Sequence, residues 1–227
     1  MIAVISMLID HTAVVFIENR ILRGSSPYQT GTAEAMAYFA GWRQIDMVMR
    51  CIGRLAFPIF CYLIVEGFLH TRDVRRYGAR LLAFAFLSEI PFDLAVFDRW
   101  FYPNYQNVYV TLFLGLLALI GLKKFQLEGS LWKQALTVAV CCCGAVLLKS
   151  DYGAFGVFFV VLLYLLHGQV RQQTILGAIA LAWEVTAPLA MIPIRMYDGT
   201  RGKRNWKWFF YAFYPSHLLI LYLLAVR

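Results

Sequence analysis

Long apolar runs, most close to the length of a bilayer-spanning helix and several carrying ionisable residues in their interior, constrain this chain more than any other feature. A bilayer core of about 30 Å needs roughly 20 apolar residues per helix, and only helices or closed barrels satisfy the backbone there. The runs lack the two-residue alternation of a barrel strand, so they imply an all-α, polytopic membrane helix bundle. They place about eight transmembrane helices, near 1–17, 47–69, 78–97, 108–122, 131–148, 154–167, 173–192 and 207–226, with seven or nine as the alternative counts. The fourth and sixth are short, so tilt, or half-buried flanking segments that line a cavity, are expected there. An even number of spans puts both termini on one side, read here as cytoplasmic. Phe57 and Pro58 are expected to kink the second span. The one long connection, 18–46, is expected to hold a short interfacial helix before Trp42. Brief connections elsewhere, and no evident repeat, make 1–227 a single integral-membrane domain.

Composition agrees. Hydrophobic residues make up 61% of the chain and charged ones 15%, against about a quarter charged in a soluble domain, so membrane lipids are its outer solvent. The net charge of +8 comes from basic residues between apolar segments, which reads as membrane flanks and not as a nucleic-acid stripe. The five cysteines sit in apolar segments without zinc or disulfide spacing, so no metal is expected. The stretch from Met1 leads into Asp10 and His11 and not into a small-residue cleavage site, which makes it a first span.

Ionisable groups inside lipid spans cost about 2.5–3.5 kcal/mol each on insertion scales, so they are kept where they pair or act. Asp10 and His11 fall in the first span, Arg50 and Arg54 in the second, Glu89 and Asp93 in the third, Glu184 in the seventh and His217 in the eighth. Glu89 and Asp93 share a helix face, as do Arg50 and Arg54, so the two rows are expected to neutralise one another, with Arg54 the counter-ion of Asp10. His217 is placed at the depth of His11 on a helix running the opposite way. Asn107, Asp151 and Tyr152 fall at helix ends on the same side. Glu66 and Glu184 read as packing or helix-end residues, and His70 and His167 as solvated.

Several of these residues lie in motifs: ISMLIDH at 5–11, RLAFPIF at 54–60, VEGFLHTR at 65–72, SEIPFDLA at 88–95, QNV at 106–108, SDYGAFG at 150–156, YDGTRG at 197–202 and FYPSHLLIL at 213–221. In order and content they resemble the TraX family, over most of the chain except the 18–46 connection and the fifth span. The family is named for a conjugation protein that N-acetylates pilin. The resemblance implies an acyltransferase using acetyl-CoA as co-substrate, in the bacterial cytoplasmic membrane. Its acceptor would be an amine or hydroxyl of a peptide, lipid or glycan.

Acyl transfer needs a base, a partner for the developing oxyanion and cations for the donor phosphates. His11 or His217 is the candidate base, oriented by Asp10, Glu89 or Asp93. Asn107, Tyr152 or Arg54 is the candidate oxyanion donor, and Asp151 completes the substrate-binding set. Arg201, Lys203 and Arg204, with Gly199 and Gly202, form a basic loop that can hold a pyrophosphate. The competing readings are a proton-coupled transporter and a noncatalytic export or conjugation accessory protein.

Overall fold

Proline decides where several helices of this bundle break. The computed structural model describes residues 1–23, 32–199 and 206–226. α1 (Ile2–Thr12) continues without interruption into π-type bonding over Ala13–Leu22, making a first pass of 21 residues. α2 (Ala33–Gly53) starts at Thr32, whose hydroxyl accepts from Ala35 N at 3.3 Å. It occupies much of the stretch expected as a connection. α2 runs antiparallel to the first pass, with Gly53 against Asp10 and Arg50 reaching both Asp10 and Glu18.

The break expected at Phe57–Pro58 lies a turn earlier. Pro58 has no N–H, and its ring crowds the carbonyl four residues back, that of Arg54. The chain turns at Arg54–Leu55 and restarts as α3 (Ala56–His70).

α4 (Val74–Phe97), α5 (Val108–Leu127), α6 (Leu131–Leu147) and α7 (Gly153–Leu165) then pass back and forth. The buried core lies between α3, α4, α5 and α7, where Val65, Leu81, Leu116 and Phe159 meet. α6 turns Leu131, Val140 and Leu147 outward, exposed by 79%, 61% and 80%. Apolar surface of that extent implies lipid beside it. α7 rises only about 20 Å, so it stops short at one end of the bundle. There the connections 98–107 and 148–152 pair edge to edge: Gln106 N donates to Lys149 O at 3.1 Å, and Asp151 N to Gln106 O at 2.9 Å. Their backbone groups are thus satisfied where helix is missing.

The expected seventh span does not cross. α8 (Val170–Ala180) runs antiparallel to α7, with Gln173 donating to Leu163 O at 2.8 Å and Trp183 against Phe155. Pro188 denies the carbonyl of Glu184 its helical donor, and Ala187 N supplies a tighter bond at 2.9 Å. The chain reverses and returns through a 3₁₀ turn (Ala187–Ala190) and α9 (Met191–Arg195), so that Met191 packs on Gly177 and Tyr197 reaches Tyr62. This segment is a re-entrant hairpin.

α10 (Lys207–Val226) therefore runs parallel to α1, because Lys207 lies near Met1 and His217 meets His11. Met1 and Val226 are at opposite ends of the bundle, contrary to the eight-span expectation of termini on one side and of an antiparallel His217 helix. The described residues traverse the bundle seven times. Four segments among them, Ile2–Leu22, Ala33–His70, Val108–Leu127 and Lys207–Val226, are individually long and apolar enough to cross a membrane.

Candidate functional site

Two histidines meet at the centre of the α1–α10 contact. His11 Nδ1 lies 2.6 Å from His217 Nε2, with the rings 4.9 Å apart and nearly parallel. His217 Nδ1 lies 2.8 Å from the carbonyl of Phe213, one turn back on its own helix. A carbonyl can only accept, so His217 carries its proton on Nδ1. With both rings neutral, His217 Nε2 is then the acceptor, His11 Nδ1 the donor, and His11 Nε2 the unprotonated nitrogen.

His11 lines a cavity of about 170 Å³, while His217 lies behind it, 5% exposed. Asp10, Arg50, Arg54, Asp151 and Tyr152 also line this cavity. The ion pairs are exchanged relative to expectation. Asp10 takes Arg50 at 2.6 Å, and Arg54 reaches across to Glu184 at 2.6 Å at the tip of the re-entrant hairpin. The proline breaks explain the exchange, since Arg54 has left the α2 helix and Glu184 sits at a reversal and not in a span. Arg50 and Arg54 also line a charged recess of about 490 Å³ with Glu18 and Asp46, so the two arginines are shared between the two spaces.

Tyr152 is held in a left-handed backbone conformation at φ 62°, rare for a bulky residue. Its ring stacks on Phe57 at 3.6 Å, and its hydroxyl lies near the Arg54 guanidinium. Strained backbone of this kind persists where the surroundings over-determine it and clusters at functional sites. Asp151, in the same connection, accepts from the Tyr105 hydroxyl at 2.9 Å. Burial raises its carboxyl above the usual range, while Tyr105, the Tyr152 N–H and the two arginines act in the opposite direction. Its carbonyl accepts from Thr111.

Glu89, Asp93 and Asn107 stand apart from the cavity. The Asn107 amide donates to Glu89 and to Ala85 O, while its oxygen caps α5 by accepting from Tyr109 N at 3.0 Å. Asp93, fully buried, accepts from Tyr102 N at 2.6 Å and holds the 98–107 connection. The expected neutralisation of Glu89 and Asp93 by Arg50 and Arg54 does not occur. Glu66 binds His167 at 2.8 Å, so that histidine is paired and not merely solvated. Arg201, Lys203 and Arg204 lie outside the described residues. Among the described residues, no group of His, Cys, Asp or Glu side chains has the geometry to hold a metal ion.

Tyr105 and Tyr214 line the cavity without having stood out in the sequence. Tyr214 lies within FYPSHLLIL, three residues before His217, and packs edge-on against both histidines at 5.8 Å. An aromatic residue one turn from a buried histidine was the available signal.

The chain is similar to the probable fimbrial assembly protein FimC, serogroup H1, of Dichelobacter nodosus, with 29% identity over 249 residues covering 97% of this chain and 91% of that protein. No solved structure matches it significantly. The family described as TraX protein matches residues 1–225. With motifs and match running through all the helices that build the cavity, the chain belongs to the TraX family.

Proposed function

We propose that this protein is an integral-membrane acyltransferase that moves an acetyl group from acetyl-CoA to an amine or hydroxyl of a peptide, lipid or glycan acceptor. The observation that carries this reading is the His217–His11 pair at the cavity wall, which leaves one imidazole nitrogen unprotonated beside Arg54 and Tyr152. His11 Nε2 takes the proton of the acceptor N–H or O–H as that heteroatom bonds to the thioester carbonyl carbon. His217 stabilises the resulting imidazolium through Nδ1 of His11. The Arg54 guanidinium and the Tyr152 hydroxyl are the proposed donors to the developing oxyanion. The carbon–sulfur bond then breaks, and His11 returns its proton to the departing thiolate. Acetyl-CoA supplies an activated acyl carbon. Membership of the TraX family, with a relative named for fimbrial assembly, favours a peptide acceptor.

Incubating purified protein with labelled acetyl-CoA and a membrane peptide extract, followed by mass spectrometry, tests the reading. Acyl label should appear on an acceptor and vanish in His11→Ala. A folded protein that neither binds nor consumes the donor would refute it. The relative's name also supports a second reading, a noncatalytic assembly factor, which predicts no label in either protein.

A further inference from the structure

Past Phe60, which lines both spaces, the cavity beside His11 adjoins a larger chamber that the chemistry above does not use. This chamber is about 530 Å³ and mostly apolar, yet Tyr62, Tyr77, Tyr197 and Tyr211 line it, beside Tyr109, whose hydroxyl is taken by the Phe210 and Tyr211 carbonyls. A hydrocarbon tail gains nothing from phenols. An amide-bearing chain does, because each amide taken out of water needs a hydrogen-bond partner in an otherwise apolar wall.

Arg80 extends the path outward. Its guanidinium sits 5.9 Å from the centre of the Tyr77 ring and lies near the Tyr211 hydroxyl. Its Nε is buried without a hydrogen-bond partner, and none of the described ion pairs includes it. Arg76, one turn earlier on the same face of α4, and Trp208 on α10 complete a groove of about 410 Å³ with Arg80. Among the described ion pairs, Asp73 engages Arg76, at 2.9 Å. From His217 to Trp208 is nine residues of α10, a rise of about 14 Å. The groove therefore lies about 14 Å along α10 from His217.

We propose that groove and chamber together form the donor track: Arg76 and Arg80 hold the phosphates of a nucleotide thioester of the coenzyme A class, Trp208 stacks on its base, and the amide-bearing arm runs along the tyrosine-lined chamber past Phe60 to His11. Guanidinium groups suit phosphate through charge-assisted bonds, and an indole face suits a purine. The assignment rests on the acyl-transfer reading, and its phosphate and base contacts are α4 and α10 residues that the sequence left unassigned.

The test compares equilibrium binding of coenzyme A and of pantetheine to the full chain in detergent, together with transfer from acetyl-CoA and from S-acetylpantetheine. In the double variant R76Q/R80Q, coenzyme A affinity should fall by at least about 30-fold, as loss of two charge-assisted bonds requires. Pantetheine affinity and transfer from S-acetylpantetheine should stay within about twofold. Arg75→Gln, on the same turn of helix, should change neither. Phe60→Trp should block both donors. Unchanged coenzyme A affinity in R76Q/R80Q, or an equal loss for both ligands, would overturn the track. Coenzyme A binding that depends on these arginines in a protein that transfers nothing would support the track and sink only the transfer reading.

Discussion

His217 fixes His11 through one nitrogen–nitrogen contact of 2.6 Å while its own Nδ1 is held by the Phe213 carbonyl at 2.8 Å. The pair works in one direction, since the carbonyl sets the tautomer of His217 and His217 sets that of His11. For the proposed acyl transfer, His217→Ala should lower kcat by about 10²–10⁴ with little change in donor KM, the range for loss of general-base assistance. His217→Gln should recover part of this, because its side-chain oxygen can accept from His11 Nδ1. Equal loss of kcat in both variants, with an unchanged pH profile, would reduce His217 to packing.

The parallel course of α1 and α10 makes a prediction about topology. Single cysteines placed at Ile2 and at Val226, in a background with the five native cysteines replaced, should react with an impermeant maleimide from opposite faces of the membrane. Labelling from one face would restore the eight-span arrangement and contradict the re-entrant hairpin.

Apolar run length made the helical class legible, and helix-end motifs made Asp151 and Tyr152 legible as residues of one region. The ion-pair partners were not. Arg50 and Arg54 look equivalent on an unbroken helix, but Pro58 removes Arg54 from that helix and Pro188 turns the Glu184 segment back on itself. Both prolines act four residues upstream, through a carbonyl that loses its donor, so their consequence falls on a residue that apolar periodicity does not mark. Glu89 and Asp93 were misleading for a different reason. A buried carboxylate that caps a connection carries the same intramembrane signature as one that faces a substrate.

Gly53 is required by the closeness of α1 and α2. A Cβ there would overlap the Asp10 carboxylate. Gly53→Ala should displace Asp10 from Arg50 and cost about 1–3 kcal/mol, the usual penalty of overpacking. Thermal unfolding in detergent measures that cost. The proposed acyl transfer should fall further than stability alone explains, because the displaced residue adjoins His11.

Tyr109 repairs a defect in α10. Pro215 leaves the Tyr211 carbonyl without its helical donor, and the Tyr109 hydroxyl supplies one at 3.1 Å, with Phe210 O at 3.3 Å. Tyr109→Phe keeps the ring and orphans that carbonyl, so stability should drop by about 1–3 kcal/mol. A drop below about 0.5 kcal/mol would mean that water replaces the hydroxyl.

Asp151 offers a pH-resolved test. Burial raises its carboxyl in the folded chain despite the opposing Tyr105 hydroxyl, Tyr152 N–H and two arginines. A carboxyl raised on folding contributes stability that is complete below its unfolded pKa of about 4 and is lost as pH rises through the folded value. At neutral pH the ionised form is therefore a net cost. Asp151→Asn keeps an oxygen for Tyr105 and removes the charge, so the D151N protein should unfold at a higher temperature than the parent near pH 8 and at the same temperature near pH 4. The proposed acyl transfer should nevertheless fall, because Arg50 and Arg54 lose a carboxylate that shares their cavity. A variant less stable than the parent near pH 8 would show that attraction to the arginines outweighs burial at this site, and that Asp151 anchors the connection through its charge.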